Sequence, residues 1–241
     1  MAVLPDLTTR ATDLSELMDD PDCDPALLAA TYARFGGVNR LVSGWRGIYR
    51  SRIRPMLDPV QPTTILDIGF GGGDVPLAIA RWAQSDGLSV RITAIDPDER
   101  SLAFVRRATS DGQVTFRRAH SSELVAGGER FDVVLSNHVL HHLDAQTLAS
   151  LLADSTALAG SQVLHNDLER SALAYAAYGV ATWPGRRSSF LHIDGLRSIR
   201  RSYRSDELQA LTPPGWTVER RFPMRLLLSR AGAPPAGASD A

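Results

Sequence analysis

The sequence predicts an α/β fold: a doubly wound, mostly parallel sheet with helices on both faces, preceded by a helical N-terminal lid. Three observations carry that expectation. Short apolar runs alternate with helix-length segments from Thr64 to His165, a glycine-rich turn follows the first of these runs, and the aromatic residues ahead of it recur at helical spacing.

Residues 1–20 show no apolar period and are expected to be a flexible N-terminus. From Pro25 to Leu57 the residues Leu28, Tyr32, Phe35, Val38, Leu41, Trp45, Ile48 and Tyr49 keep a helical period, while Gly36-Gly37 and Gly44 interrupt it, which predicts two short helices. Thr64–Ile68 is a first strand, Val75–Trp82 a helix, Val90–Asp96 a second strand and Glu99–Ala108 a helix. Val114–Arg117 and Phe131–Ser136 are further strands, Ala145–Leu158 a helix, and Ser161–His165 a fifth strand before a final hairpin. Such alternation makes a parallel sheet buried on both faces. One domain is expected over 21–230, with the lid at 21–58 and an insert at 169–204; the Ala, Pro and Gly-rich stretch 231–241 has little to bury and reads as a disordered tail.

Composition narrows the classes. A formal net charge of -1 gives no global attraction to nucleic acid, and no nucleic-acid partner is expected. The single cysteine, Cys23, excludes an intramolecular disulfide and leaves too few thiols for a cysteine-based metal site. A reducing cytoplasm is the expected compartment. The first residues lack the basic and apolar regions of a secretory signal, and no run reaches the length of a membrane span.

In an open parallel sheet, ligands bind outside the carboxyl ends of the strands where strand order reverses, and the first strand–helix turn lies there. Here that turn reads LDIGFGGGD, from Leu66 to Asp74. Gly69, Gly71 and Gly73 let the backbone take left-handed angles and approach a ligand, and Asp67 just before them offers a carboxylate to a cationic or hydrogen-bond-donating group. Asp74 stands where a dinucleotide fingerprint needs its third glycine, which disfavours a pyrophosphate and hence a nicotinamide-dependent oxidoreductase. Asp96, ending the second strand, has the spacing of a residue that hydrogen-bonds ribose hydroxyls.

These residues resemble a family. LDIGFGGG is similar to the first motif of class I S-adenosylmethionine-dependent methyltransferases, Ala94-Ile95-Asp96-Pro97 to their second-strand acid, and Phe131–Asp144 (FDVVLSNHVLHHLD) to their fourth-strand motif. The resemblance spans about residues 60 to 170 and implies a Rossmann-like fold with S-adenosyl-L-methionine as cofactor. It further implies that Asp67, Gly69, Gly71 and Gly73 meet the methionine half, that Asp96 and Pro97 lie at the ribose, and that Asn137 sits beside the cofactor. The family usually has an acidic residue after the third strand to meet the adenine amino group; His120 stands in its place, where a neutral imidazole can accept the same bond.

Val38–Gly44 (VNRLVSG) is loosely similar to the entry segment of ubiquinone and menaquinone C-methyltransferases. That likeness implies a lid of Tyr32, Phe35, Trp45 and Tyr49 over a small apolar aromatic substrate, methylated on oxygen or ring carbon, such as a phenolic polyketide or a quinol. The alternative for the same aromatics is helix core. Tyr178 and Trp183 in the insert are further candidates for substrate contact. His192 is a candidate general base with Asp194 to orient it, and His141, after the fourth strand, is a second candidate. Asp167, ending the fifth strand, either meets substrate or caps the next helix. His141 and His142 are adjacent, an unfavourable spacing for one ion, and no metal is expected. Leu196–Arg204 is the most basic stretch; it reads as a solvated face, or as a contact with an acidic substrate group or an anionic membrane surface. A non-catalytic protein that only binds S-adenosylmethionine remains the principal alternative function.

Overall fold

The computed structural model describes residues 5–108 and 112–232. The tail expected over 231–241 lies, from 233 onward, outside the described residues.

Five parallel strands and a terminal antiparallel pair form one sheet. The strands are β1 (Thr63–Ile68), β2 (Val90–Asp96), β3 (Val114–Arg118), β4 (Phe131–Asn137), β5 (Ala159–Leu168), β6 (Thr217–Arg221) and β7 (Arg225–Ala231). Their order is β3-β2-β1-β4-β5-β7-β6, with β7 antiparallel to both of its neighbours. Successive residues of β1 serve opposite faces, as the strand period requires: Ile65 packs with Ile79, Ile92 and Val133, whereas Leu66 packs with Ile95, Val134 and Leu148. Both faces are therefore apolar, and Ile68 at the end of β1 is level with Ile95 of β2 and Ser136 of β4. Strand order reverses between β1 and β4, so their carboxyl ends open a crevice.

The helices α3 (Asp74–Ser85), α4 (Glu99–Ala108) and α6 (Ala145–Leu158) cover the sheet as the alternation predicts. A short α5 (Ser121–Ala126) lacked a legible period.

Two expectations about the N-terminal part are corrected. The lid breaks once, not twice: its first helix, α1 (Pro25–Val42), has 18 residues and runs through Gly36-Gly37, and a second helical run covers 45–56. Asp24 caps it by accepting the N–H groups of Ala26 and Leu27, and Pro25 occupies its first turn. Each interior glycine costs about 1 kcal/mol, and the burial of Leu28 and Tyr32 against the body outweighs that local preference. The break comes at Gly44, which takes φ +68° before the one-turn α2 (Trp45–Ile48).

Residues 5–20, expected to be flexible, pack against the body. Buried Arg170 donates to the carbonyls of Leu7 and Thr8, and Arg10 donates to those of Arg201, His141 and Leu143. Glu16 is itself buried. Polar anchors hold this segment, and polar anchors leave no periodic signature in a sequence.

The insert forms α7 (Ala172–Thr182) and α8 (Leu191–Arg201), which pack on each other, followed by α9 (Ser205–Leu211). The basic stretch on α8 is only partly a solvated face. Arg201 is buried, Arg197 donates to the carbonyl of Ser15, and Arg204 donates to that of Leu7. Among the described residues, no helix is long and apolar enough to cross a membrane.

Candidate active site

A cavity of about 370 Å³ opens at the carboxyl ends of β1, β2 and β4, beneath α1 and the α7–α8 pair. Asp67, Gly69, Gly71, Asp96, Pro97 and Asn137 line it on the sheet side, and Tyr32, Phe35, Tyr178 and Leu191 line it on the cap side. The backbone shape of the turn explains its glycines. Gly69 takes φ +79°, and a Cβ there would lie 2.6 Å from Val139 Cγ2.

Asp67 is fully buried, and neither carboxylate oxygen has a hydrogen-bond partner. Burial, reinforced by Asp74 and Asp96, pushes its pKa well above the usual carboxylate value. An orphaned buried carboxylate at the mouth of β1 matches what the ammonium group of a methionine moiety requires. Asp96 braces the turn: one oxygen accepts from Gly71 N–H and the other from Asp98 N–H, each at 2.9 Å. Asp74, which served the sequence argument only as a misfit for pyrophosphate, also lines the cavity and accepts from Asn39 Nδ2 at 2.9 Å, tying the lid helix to the loop. Asn137 Oδ1 accepts from Asn166 Nδ2 and Arg225 Nη2.

Gly73 and His120 are not in the cavity wall. Gly73 precedes α3 with φ +75°, and a Cβ there would meet Val105 at 2.9 Å and Phe116 at 3.1 Å, so its role is the close packing of helix on strand. His120 is exposed and opens α5, its N–H donating to Glu123 at 2.6 Å. It stands at the N-cap of α5, outside the cavity wall.

The aromatic candidates divide. Tyr32 lines the cavity, its hydroxyl 2.9 Å from Ser101 Oγ and its pKa pushed by burial up to about 12. Tyr178 also lines it, donating to the carbonyl of Leu191 at 2.7 Å and lying over Gly195, where a Cβ would come within 2.2 Å of the ring. Trp45 and Tyr49 are core residues instead. Tyr49 packs on Trp82 and donates to Asp86 at 2.8 Å. Trp183 is 56% exposed, with Arg186 stacked on its ring.

The two catalytic candidates also separate. His192 faces away from the cavity, with Nδ1 2.7 Å from Thr182 Oγ1 and its ring edge-on to Trp183. Asp194, expected to orient it, lies two positions on and therefore on the opposite side of α8. Asp194 lines the cavity and accepts from the N–H groups of Leu17 and Met18, and its burial raises its pKa to about 6. His141 does line the cavity, with both ring nitrogens engaged: Nδ1 is 2.8 Å from Asp167 Oδ1 and Nε2 is 3.2 Å from Glu16 Oε1. Burial disfavours its cationic form, but Asp167 and Glu16 overcome this and raise its pKa to about 9. Burial likewise opposes ionisation of Glu16, yet His141, His142 and Ser198 bring it down to about 2. A histidine clamped in this way is a poor proton acceptor at neutral pH.

Two residues of the wall, and a third buried behind it, had no signal in the sequence. Glu16 comes from the aperiodic N-terminal segment, where nothing marks one acid among many. His138 takes φ +60° after β4, and its Nε2 accepts from Arg225 Nη1, so burial and that guanidinium keep it neutral. Arg225, fully buried on β7, is brought there by strand order alone.

Residues 65–159 match the methyltransferase domain family. Over 171 residues the chain is 27% identical to a ubiquinone biosynthesis O-methyltransferase of Rhizobium leguminosarum bv. trifolii (strain WSM2304), an alignment covering 68% of this chain and 62% of that protein. The chain thus matches less than two thirds of that relative's length. Among solved structures, the fold is similar to the plantazolicin methyltransferase BpumL in complex with a triazolic desmethylPZN analog and SAH, with TM-score 0.58 and 13% identity over 90% of this chain and 93% of that one. It is also similar to the magnesium protoporphyrin IX methyltransferase ChlM of Synechocystis PCC 6803 with bound SAH, with TM-score 0.52 and 15% identity over 84% and 86% of the two chains.

Proposed function

From the premise that this chain carries a class I S-adenosylmethionine-dependent methyltransferase domain, we propose that it methylates the oxygen or ring carbon of a small apolar aromatic acceptor, a phenol or a quinol. One observation carries the reading: one cavity is lined both by the carboxylates of Asp67 and Asp96 and by the apolar and aromatic side chains of Tyr32, Phe35 and Leu191. A cationic, polyhydroxylated cofactor suits the carboxylates, and an aromatic ring suits the apolar side chains.

S-adenosylmethionine, when bound, supplies an activated methyl group. The chain's own part is to hold and shield. Asp67 would pair with the ammonium group, Asp96, which braces Gly71, would accept from ribose hydroxyls, and Asn137 would lie beside the cofactor. Tyr32 and Phe35 on α1 close over the glycine turn, where a Cβ on Gly72 would lie 3.0 Å from the carbonyl of Tyr32. That closure excludes water and favours an in-line approach of the acceptor.

The test is titration calorimetry with S-adenosylmethionine and S-adenosylhomocysteine, with NADH and NADPH as controls, followed by mass spectrometry of a phenol and quinol panel. Saturable binding of the first pair alone, with a mass gain of one methyl group on a panel member, is the expected result. A folded protein that binds neither would overturn the cofactor assignment. Binding without transfer to any aromatic acceptor would favour a protein that only binds the cofactor.

A further inference from the structure

We propose that Glu16, His141 and His142 bind a divalent transition-metal ion of the zinc class at the cap end of the cavity. Each residue offers one ligand atom, and these atoms all lie within 4.8 Å of one another. All three residues line the cavity.

The arrangement around each imidazole is the reason. Asp167 Oδ1 lies 2.8 Å from His141 Nδ1, which fixes a proton on that nitrogen and turns the Nε2 lone pair toward Glu16 Oε1, 3.2 Å away. Asp19 Oδ2 lies 3.4 Å from His142 Nδ1, and His142 Nε2 is 3.8 Å from the same Glu16 oxygen. His141 thus has a hydrogen-bonded carboxylate behind it, and His142 stands within ion-pair distance of Asp19 on one nitrogen and of the shared Glu16 carboxylate on the other. Carboxylates in that rear position are the usual outer partners of metal-bound histidines, since they set the tautomer and make the ligand more basic.

The distances suit an ion. Glu16 Oε1 lies 3.2 Å from His141 Nε2 and 3.8 Å from His142 Nε2, and it also accepts from Ser198 Oγ at 2.6 Å, so an ion would draw three donors around one oxygen. Ligands bound to a tetrahedral zinc at about 2.0–2.1 Å are about 3.3 Å apart, and the two separations fall on either side of that value. Two imidazoles and one carboxylate are a donor set for zinc or iron rather than magnesium or calcium, which prefer all-oxygen shells. His141 and Glu16 are only 2% and 5% exposed, whereas His142 is partly exposed toward the cavity.

Three protein ligands leave at least one coordination position, and the cavity is the space it faces. An acceptor hydroxyl bound to the ion there would be more acidic and would release its proton to solvent water at the open mouth of the cavity, which would supply the activation that a clamped His141 cannot. That last step rests on the methyl-transfer reading; the ion site does not. Its ligands join the N-terminal segment to the turn after β4, so an occupied site would also fasten residues 5–20 over the cavity.

The test uses the full chain stripped of metal and titrated with Co²⁺, read by its visible d–d absorption, and with Zn²⁺ by calorimetry. Binding of S-adenosylhomocysteine is measured on the same samples. The expected result is one ion per chain, with affinity lowered more than about tenfold in Glu16→Gln and in His142→Ala, and retained in His192→Ala. Glu16→Gln keeps the side-chain shape, and His142 is partly exposed, so loss of fold in one variant leaves the other to report. A parent protein that binds S-adenosylhomocysteine but neither ion overturns the site. So does equal Co²⁺ affinity in the parent and both variants. Ion binding without S-adenosylhomocysteine binding would support the site and count against the cofactor reading instead.

Discussion

Asp167 grips His141 twice: one carboxylate oxygen lies 2.8 Å from the ring Nδ1, and the other accepts the backbone N–H of the same residue at 2.8 Å. The pair joins the end of β5 to the turn after β4, and both residues are buried. Arg225 is buried nearby and depends on the same carboxylate for compensation. Removing one partner of such a group leaves buried charge unmatched. Asp167→Ala is therefore expected to lower unfolding stability by about 3–5 kcal/mol, with Asp167→Asn losing less because it keeps an acceptor. Urea denaturation of the three proteins checks this; equal midpoints would show that the grip contributes nothing.

Asp67 sets ligand binding against stability. Its folded-state pKa lies well above the ordinary 3.8, so the folded protein keeps a proton that the unfolded chain releases as pH rises past that value. Stability from this group is complete at low pH and is lost as pH rises through the folded-state pKa. Asp67→Asn should accordingly stabilise the ligand-free protein at neutral pH by about 1–3 kcal/mol, an advantage that shrinks on acidification. The same variant should bind S-adenosylmethionine far more weakly. Thermal melts at two pH values, with and without cofactor, read both effects, and a melting point below the parent's at neutral pH would contradict the assignment.

Asp96 acts on the cofactor and on the turn together, because its oxygens already hold Gly71 and Asp98. Asp96→Ala should weaken S-adenosylhomocysteine binding by about tenfold to a hundredfold, the equivalent of one or two hydrogen bonds to a charged group. Calorimetry decides, and unchanged affinity would remove the ribose from this position.

His192 bonds to Thr182 outside the cavity, so its imidazole cannot reach an acceptor. His192→Ala should leave kcat and KM for methyl transfer within about twofold of the parent, as expected for a substitution away from the site. A loss of kcat with KM unchanged, in a folded variant, would place the ring in the chemistry after all.

Much of the molecule is legible in local sequence. Short apolar runs mark β1, β2, β4 and β5 because both faces of the sheet are covered there, and the turn from Leu66 to Asp74 announces itself through glycines that take positive φ. Asp67, Asp96 and Asn137 follow, since each sits at the end of a recognisable strand. Tertiary structure alone decided the rest. The continuity of α1 through Gly36-Gly37 depends on burial against the body, a term larger than helix propensity. Which aromatics face the cavity and which fill the core, Tyr32 against Tyr49, depends on where helices turn and not on their period. Glu16 meets His141 across 125 positions of chain. Contacts of that kind are made by folding distant segments together, and no local pattern encodes them.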